Sequence, residues 1–175
     1  MNVMLALALV EDGGAVSRFH TRRMVNRENV AEHSFTVAWV CAMFYPDNQV
    51  PVKLLMAALQ HDLPEFVTGV TTPPIKRSSE KSKAACVELE QKVLLEASHF
   101  DYMGFLNDDE TFILKFADSF SGLLTCLREM AMGNTEMSDT GVVYMESLSV
   151  QRDECPTRLK PVVKELLDYV RSKAG

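Results

Sequence analysis

The stretch Ala31-Glu32-His33-Ser34-Phe35-Thr36-Val37-Ala38-Trp39-Val40-Cys41-Ala42-Met43-Phe44 decides the fold. His33, Val37, Val40 and Phe44 recur in steps of four, three and four, which is one face of an α-helix, and a histidine heads that face. The same conflict between period and chemistry appears twice more. His61-Asp62 closes the apolar run Leu54-Leu55-Met56-Ala57-Ala58-Leu59-Gln60, and Asp118 interrupts Phe112-Ile113-Leu114-Lys115-Phe116-Ala117 before Ser119-Phe120. A carboxylate lodged on an apolar face is costly unless it is paired or ligates a cation. Three segments that break their own pattern in this way suggest one shared ion.

Working outward, the pattern stays helical almost throughout. A short apolar helix is expected over Val3 to Val10, stopped by Gly13-Gly14. An arginine-rich connector follows, Ser17-Arg18-Phe19-His20-Thr21-Arg22-Arg23. Further helices are expected over about 31–44, 52–62, 79–98, 109–132, 139–152 and 157–172. Pro46 ends the second and Pro64 the third, because proline lacks a backbone donor. Thr68-Gly69-Val70-Thr71-Thr72-Pro73-Pro74-Ile75-Lys76 reads as a loop, and Gly133-Asn134 as a helix stop. No stretch alternates with a strand period for long. The expectation is an all-α fold, residues 1–175 forming a single domain, a bundle of about seven helices.

Composition excludes several roles. With 47% hydrophobic and 24% charged residues the chain is an ordinary globular sequence. Its net charge of −6 argues against general affinity for nucleic acid or anionic membranes. The longest apolar stretch, near Val37 to Phe44, is too short to span a bilayer, and the first residues lack the basic flank of a signal peptide. A cytoplasmic location is expected. Cys41, Cys86, Cys126 and Cys155 show no paired spacing and read as reduced thiols. Apolar residues of the last two helices, Val142, Val143, Leu166, Leu167 and Val170, suit contacts in a homo-oligomer as well as a core.

Two imidazoles and two carboxylates suit a divalent ion: zinc, manganese, cobalt or magnesium. Four protein ligands leave positions open on such an ion, and bound water loses its proton far more readily there.

The ligand order H…HD…D resembles the signature of the HD-domain metal-dependent phosphohydrolases. It stands here as Glu32-His33, His61-Asp62 and Phe116-Ala117-Asp118-Ser119. Glu28-Asn29-Val30-Ala31-Glu32-His33-Ser34 and His61-Asp62-Leu63-Pro64-Glu65 are similar to the branch that holds bacterial 5′-deoxynucleotidases and small phage enzymes acting on dATP. The similarity covers about residues 15 to 133.

The resemblance implies an HD-type bundle with His33, His61, Asp62 and Asp118 as metal ligands and Glu65 as the catalytic acid–base. It implies that Arg18, Lys76 and Lys115 bind phosphates, and that Phe19, Thr21 and Pro74 line the base and sugar. The implied reaction is hydrolysis of dATP to deoxyadenosine and triphosphate, depleting dATP for a phage with a 2-aminoadenine genome, in the host cytoplasm. A 5′-deoxynucleotidase releasing phosphate from deoxynucleoside monophosphates is the alternative. A metal-containing nucleotide-binding scaffold without turnover is the alternative of another class. One departure bears on the choice. The resembled nucleotidases carry aspartate after Thr-Gly, where this chain has Val70, which accepts no hydrogen bond.

Overall fold

The computed structural model describes residues 3–47, 49–65, 79–98 and 102–174. Seven α-helices stand among them: α1 Val3–Ala8, α2 Val30–Met43, α3 Val52–Gln60, α4 Glu80–Ser98, α5 Asp108–Ala131, α6 Ser138–Glu154 and α7 Lys160–Ala174. Short 3-10 turns, Met103–Phe105, Thr135–Met137 and Thr157–Leu159, link the later ones. No strand is present among the described residues; an isolated antiparallel bridge joins Ser17 to Asn29. The all-α bundle expected from the helical periods is the fold observed.

Two capping boxes set the register of the helices that matter most. Asn29 accepts from the Glu32 N–H at 2.9 Å, and the Glu32 side chain accepts the Asn29 N–H at 3.2 Å. Asn107 and Glu110 repeat the arrangement at 2.9 and 2.8 Å at the start of α5. Each box satisfies donors that a helix start otherwise leaves open, at about 1 kcal/mol per cap. The first lies one turn before His33, so the start of α2 is pinned next to a ligand.

The long α5 is the hub. It packs against α2, α3, α6 and α7, and α2 packs on α3 as well. Its apolar face carries Phe112, Phe116 and Phe120, stacked with centroids 6.1 and 5.9 Å apart, and Phe44 meets Phe116 edge-on at 5.9 Å. Val37, Leu54, Ile113, Leu123, Leu148 and Val163 complete this core. A smaller cluster of Leu9 and Val93, flanked by Leu63, holds α4 against α1.

The first helix stops at Gly13-Gly14 as expected, but it reaches them through a π-helical turn, Leu9–Gly13, that the helical period does not announce. Gly13 is buried there, and a Cβ on it would stand 2.8 Å from the Leu63 carbonyl oxygen. The glycine therefore also serves close approach to the chain just after His61-Asp62. Of the two readings of the last helices, Leu166, Leu167 and Val170 take the core one, buried in the protein's own interior, whereas Val142 and Val143 of α6 are exposed. The cysteines are free thiols, with burial pushing Cys41 and Cys126 up to about 12. Among the described residues no helix is long and apolar enough to cross a membrane.

Candidate metal centre

His33, His61, Asp62 and Asp118 converge, with one ligand atom from each lying within 4.8 Å of the others. His33 comes from α2 and is fully buried, His61 and Asp62 from the turn that ends α3, and Asp118 from the middle of α5. His33 Nε2 is 3.1 Å from Asp118 Oδ1 and 3.5 Å from Asp62 Oδ2. His61 Nε2 is 3.5 Å from Asp62 Oδ1 and 3.3 Å from His33 Nε2. The Asp118 side chain is 46% exposed, so the cluster opens to solvent on the α5 side. This modifies the sequence reading, in which Asp118 is lodged on an apolar face: its neighbours Phe116, Ala117 and Phe120 are buried, but its carboxylate is not.

The rings are oriented from behind. His61 Nδ1 lies 2.8 Å from the Ala58 carbonyl. A carbonyl only accepts, so Nδ1 carries the proton and the Nε2 lone pair faces the cluster. His33 Nδ1 lies 2.9 Å from Ser121 Oγ, a group that donates or accepts as its hydroxyl turns. His33 can thus give its Nε2 proton to Asp118, or shift it to Nδ1 and turn a lone pair inward. Burial, the largest influence, keeps its pKa low and the ring neutral. Burial alone would raise Asp118, but the His33 hydrogen bond, the two facing imidazoles and the Arg18 guanidinium hold it well below the carboxylate range. His61, Asp62 and Asp118 are therefore acceptors facing one another, and His33 joins them by a tautomer shift. This donor set fits a divalent cation, with His partners behind the rings of the kind metal sites use.

Arg18 is not the solvent-facing cation that a phosphate ligand suggests. It is buried, and its Nη1 donates to Asp62 Oδ2 at 2.6 Å while its Nε faces Glu28 Oε2 at 3.3 Å. Glu28 is buried too, and its other oxygen accepts from Thr125 at 2.6 Å and Arg128 at 3.4 Å. The connector is tied down further by Glu129, which accepts the N–H groups of Val25 and Asn26 at 2.7 and 2.8 Å and the Asn134 amide at 2.7 Å.

Glu65 is buried at 8% exposure one turn beyond Asp62, where its N–H donates to the Asp62 carbonyl at 3.0 Å. Lys115 is exposed on α5, three residues before Asp118, and not embedded among the phenylalanines as its neighbours in sequence suggest. Phe19 is half-buried beside Arg18, with a left-handed φ of 51°, and Thr21 is exposed on the connector. Pro74, Lys76 and Val70 lie outside the described residues. Sequence reasoning quotes Glu28 only as part of the resembled motif and misses its pairing with Arg18, and it misses Ser121 behind His33. A small hydroxyl residue in the buried part of α5 is the local signal for Ser121.

The sequence profile of a family described as 5′-deoxynucleotidase YfbR-like matches residues 7–157. A 5′-deoxynucleotidase of Photorhabdus laumondii is 32% identical over 142 aligned positions, covering 70% of this chain and 72% of that protein. Another, of Vibrio atlanticus, is 30% identical over 178 positions, covering 89% and 92%. Among solved structures, the cyanophage S-2L HD phosphohydrolase DatZ, bound to dA and one catalytic zinc ion, superposes with a TM-score of 0.77 at 16% identity over 98% of both chains. An HD-domain phosphohydrolase of Listeria innocua gives 0.75 at 20% identity over 98% of this chain and 90% of its own.

Proposed function

The chain belongs to the YfbR-like 5′-deoxynucleotidase family of HD-domain phosphohydrolases, and from that premise we propose that it hydrolyses the 5′-phosphoester of deoxynucleotides with a divalent ion held by His33, His61, Asp62 and Asp118. The convergence of these four side chains, with Glu65 one turn beyond Asp62, is the observation that carries the reading. When bound, the ion supplies Lewis acidity toward a phosphate oxygen and makes water more acidic.

The chain's own groups do the rest. The open side at Asp118 admits the phosphate. Glu65 orients the attacking water and takes its proton. Arg18 holds Asp62 in place through its hydrogen bond to Oδ2. Lys115, on the open side, offsets negative charge on the phosphate. The bond between phosphorus and the 5′ oxygen breaks, water's oxygen ends on phosphorus, and a proton ends on the nucleoside's 5′ hydroxyl.

Two substrates compete. The relatives named 5′-deoxynucleotidases, together with the way Arg18 is already neutralised by Asp62 and Glu28, favour monophosphates, which carry about two charges. The second reading is dATP, cleaved to deoxyadenosine and triphosphate, with depletion of a phage's dATP pool as its role. Val70 in place of an acid and the exposed Lys115 support it, with Lys76 proposed as a further phosphate ligand and Phe19, Thr21 and Pro74 as base and sugar contacts. Incubating manganese- or cobalt-loaded protein with dAMP and dATP separates them. Orthophosphate from dAMP supports the first, triphosphate from dATP the second, and saturable nucleotide binding without either product leaves a scaffold.

Self-association belongs to the same reading. Phe35, Trp39 and Met43 form a stripe on α2, each at least 52% exposed, and such a face suits a second copy of the chain. Sedimentation of wild type against Trp39→Glu tests it: a monomer in both ends the idea.

A further inference from the structure

Tyr144 is unexplained by the ligand set. It stands on α6, which contributes no metal ligand but packs against α5. Its ring lies directly on Gly122, where an added Cβ would come within 2.3, 2.5 and 2.7 Å of Cζ, Cε1 and the hydroxyl oxygen. Gly122 follows Asp118 by four residues, so it shares that face of α5, about 6 Å farther along the axis.

The same ring meets Phe19 edge to face, with centroids 6.4 Å apart and planes at 73°. Phe19 is itself held. Its φ of 51° is a conformation that non-glycine residues adopt only when their surroundings impose it, and its carbonyl accepts the Arg22 N–H at 2.8 Å. The Arg18 guanidinium lies 5.7 Å from its ring centroid. Burial raises the Tyr144 pKa, so the phenol is neutral, and the charges of Arg18, Asp118 and Asp62 all act on its hydroxyl. The ring thus stands against Gly122, one helical turn from Asp118, and against Phe19, whose own ring lies beside Arg18.

Resting on the deoxynucleotide reading above, we infer that Tyr144, braced between Gly122 and Phe19, is the sugar-facing wall of the substrate pocket and sets the choice of deoxyribose over ribose. A phosphate undergoing cleavage occupies the ligand cluster, and the sugar is joined to it through the 5′ oxygen. A group one helical turn from Asp118 thus faces the sugar sooner than the base. Telling two sugars apart by one hydroxyl requires a wall that does not yield. The main chain at Gly122 stops the ring from retreating, and the strained Phe19 backbone fixes the facing ring. Rejection of one added hydroxyl by shape is worth about 10²-fold, which sets the size of effect to look for.

The test compares kcat/KM for dAMP against AMP, and dATP against ATP, in wild type, Tyr144→Phe, Tyr144→Ala, Tyr144→Leu and Gly122→Ala, with metal content and melting temperature of each. Wild type is expected to prefer the deoxy form by about 10²-fold, and Tyr144→Phe to keep that ratio within about 3-fold. Tyr144→Ala and Tyr144→Leu are expected to lower it by about 10-fold or more while keeping the metal. Gly122→Ala, which displaces the ring, is expected to move in the same direction. An unchanged ratio in whichever of the alanine and leucine variants folds overturns the inference and leaves the hydrolase standing. A Phe variant that collapses like Ala overturns the wall role by assigning the effect to the hydroxyl. A metal-loaded wild type inert toward every nucleotide overturns the hydrolase reading and this inference with it.

Discussion

Helices α4 and α5 are both long, and they have opposite fates. Over its 24 residues α5 packs on four other helices, and buries apolar, hydroxyl and carboxylate side chains alike. The 19-residue α4 leans on α1 and buries Val93 and Leu94, leaving Val87, Leu89 and Leu95 exposed. The difference is one of neighbours. A helix enclosed on several sides has its rotation and translation fixed by packing, so Asp118 can meet ligands from two other helices to within a few ångströms. A helix that one small cluster holds among the described residues has no such precision, and among them no candidate ligand comes from it.

The sharpest break of this comparison is Asp118→Ala, which removes a ligand from the hub. Metal content and phosphohydrolase activity should both fall to background while helical content by circular dichroism is kept. Retained metal at wild-type stoichiometry would remove Asp118 from the ligand set.

Core against periphery comes next. Phe116→Ala, at the centre of the phenylalanine ladder, should cost about 3–5 kcal/mol in urea unfolding. Leu95→Ala on α4 should stay within about 0.5 kcal/mol. Equal losses would mean that α4 is better enclosed than its exposed residues indicate.

Ser121→Ala leaves every ligand in place and removes the partner of His33 Nδ1. Such outer contacts are worth about 10–100-fold in metal affinity, so the zinc dissociation constant should rise by that factor. A change under twofold would show that the ring is oriented by packing alone.

The smallest effect concerns the far end of α5. Burial pushes Glu129 upward, but hydrogen bonds from Asn134, Val25 and Asn26 and the charge of Arg128 outweigh it and lower its pKa. A carboxylate whose folded pKa is depressed adds stability above its unfolded value of about 4.3, and loses it as pH falls through the folded value. Glu129→Gln should therefore cost about 1–3 kcal/mol near neutral pH, and the gap to wild type should close below about pH 4. A gap that persists undiminished to the acid limit would assign the loss to shape, not charge.

Much of this was readable from local pattern. Apolar residues at helical spacing, broken by His33, His61-Asp62 and Asp118, announce helices and ligands together, because helical period and ligand chemistry belong to the residues themselves. The helical period alone starts α2 at about residue 31; the capping box of Asn29 and Glu32 places its first residue at Val30. Other features depend on partners far away in the chain and have no local signature. Arg18 reads as an available cation, yet Glu28 and Asp62 pair with it inside the protein. Lys115 reads as embedded and is exposed, because its helix turns it away from Phe112 and Phe116. Leu166, Leu167 and Val170 read equally well as core or interface until α5 covers them. The sequence by itself determined a helical bundle and the four candidate ligands. Only the tertiary structure decided which lone pairs face inward, which charges stay available and which aromatic stands beside Phe19, since those are properties of contacts between residues up to a hundred positions apart or more.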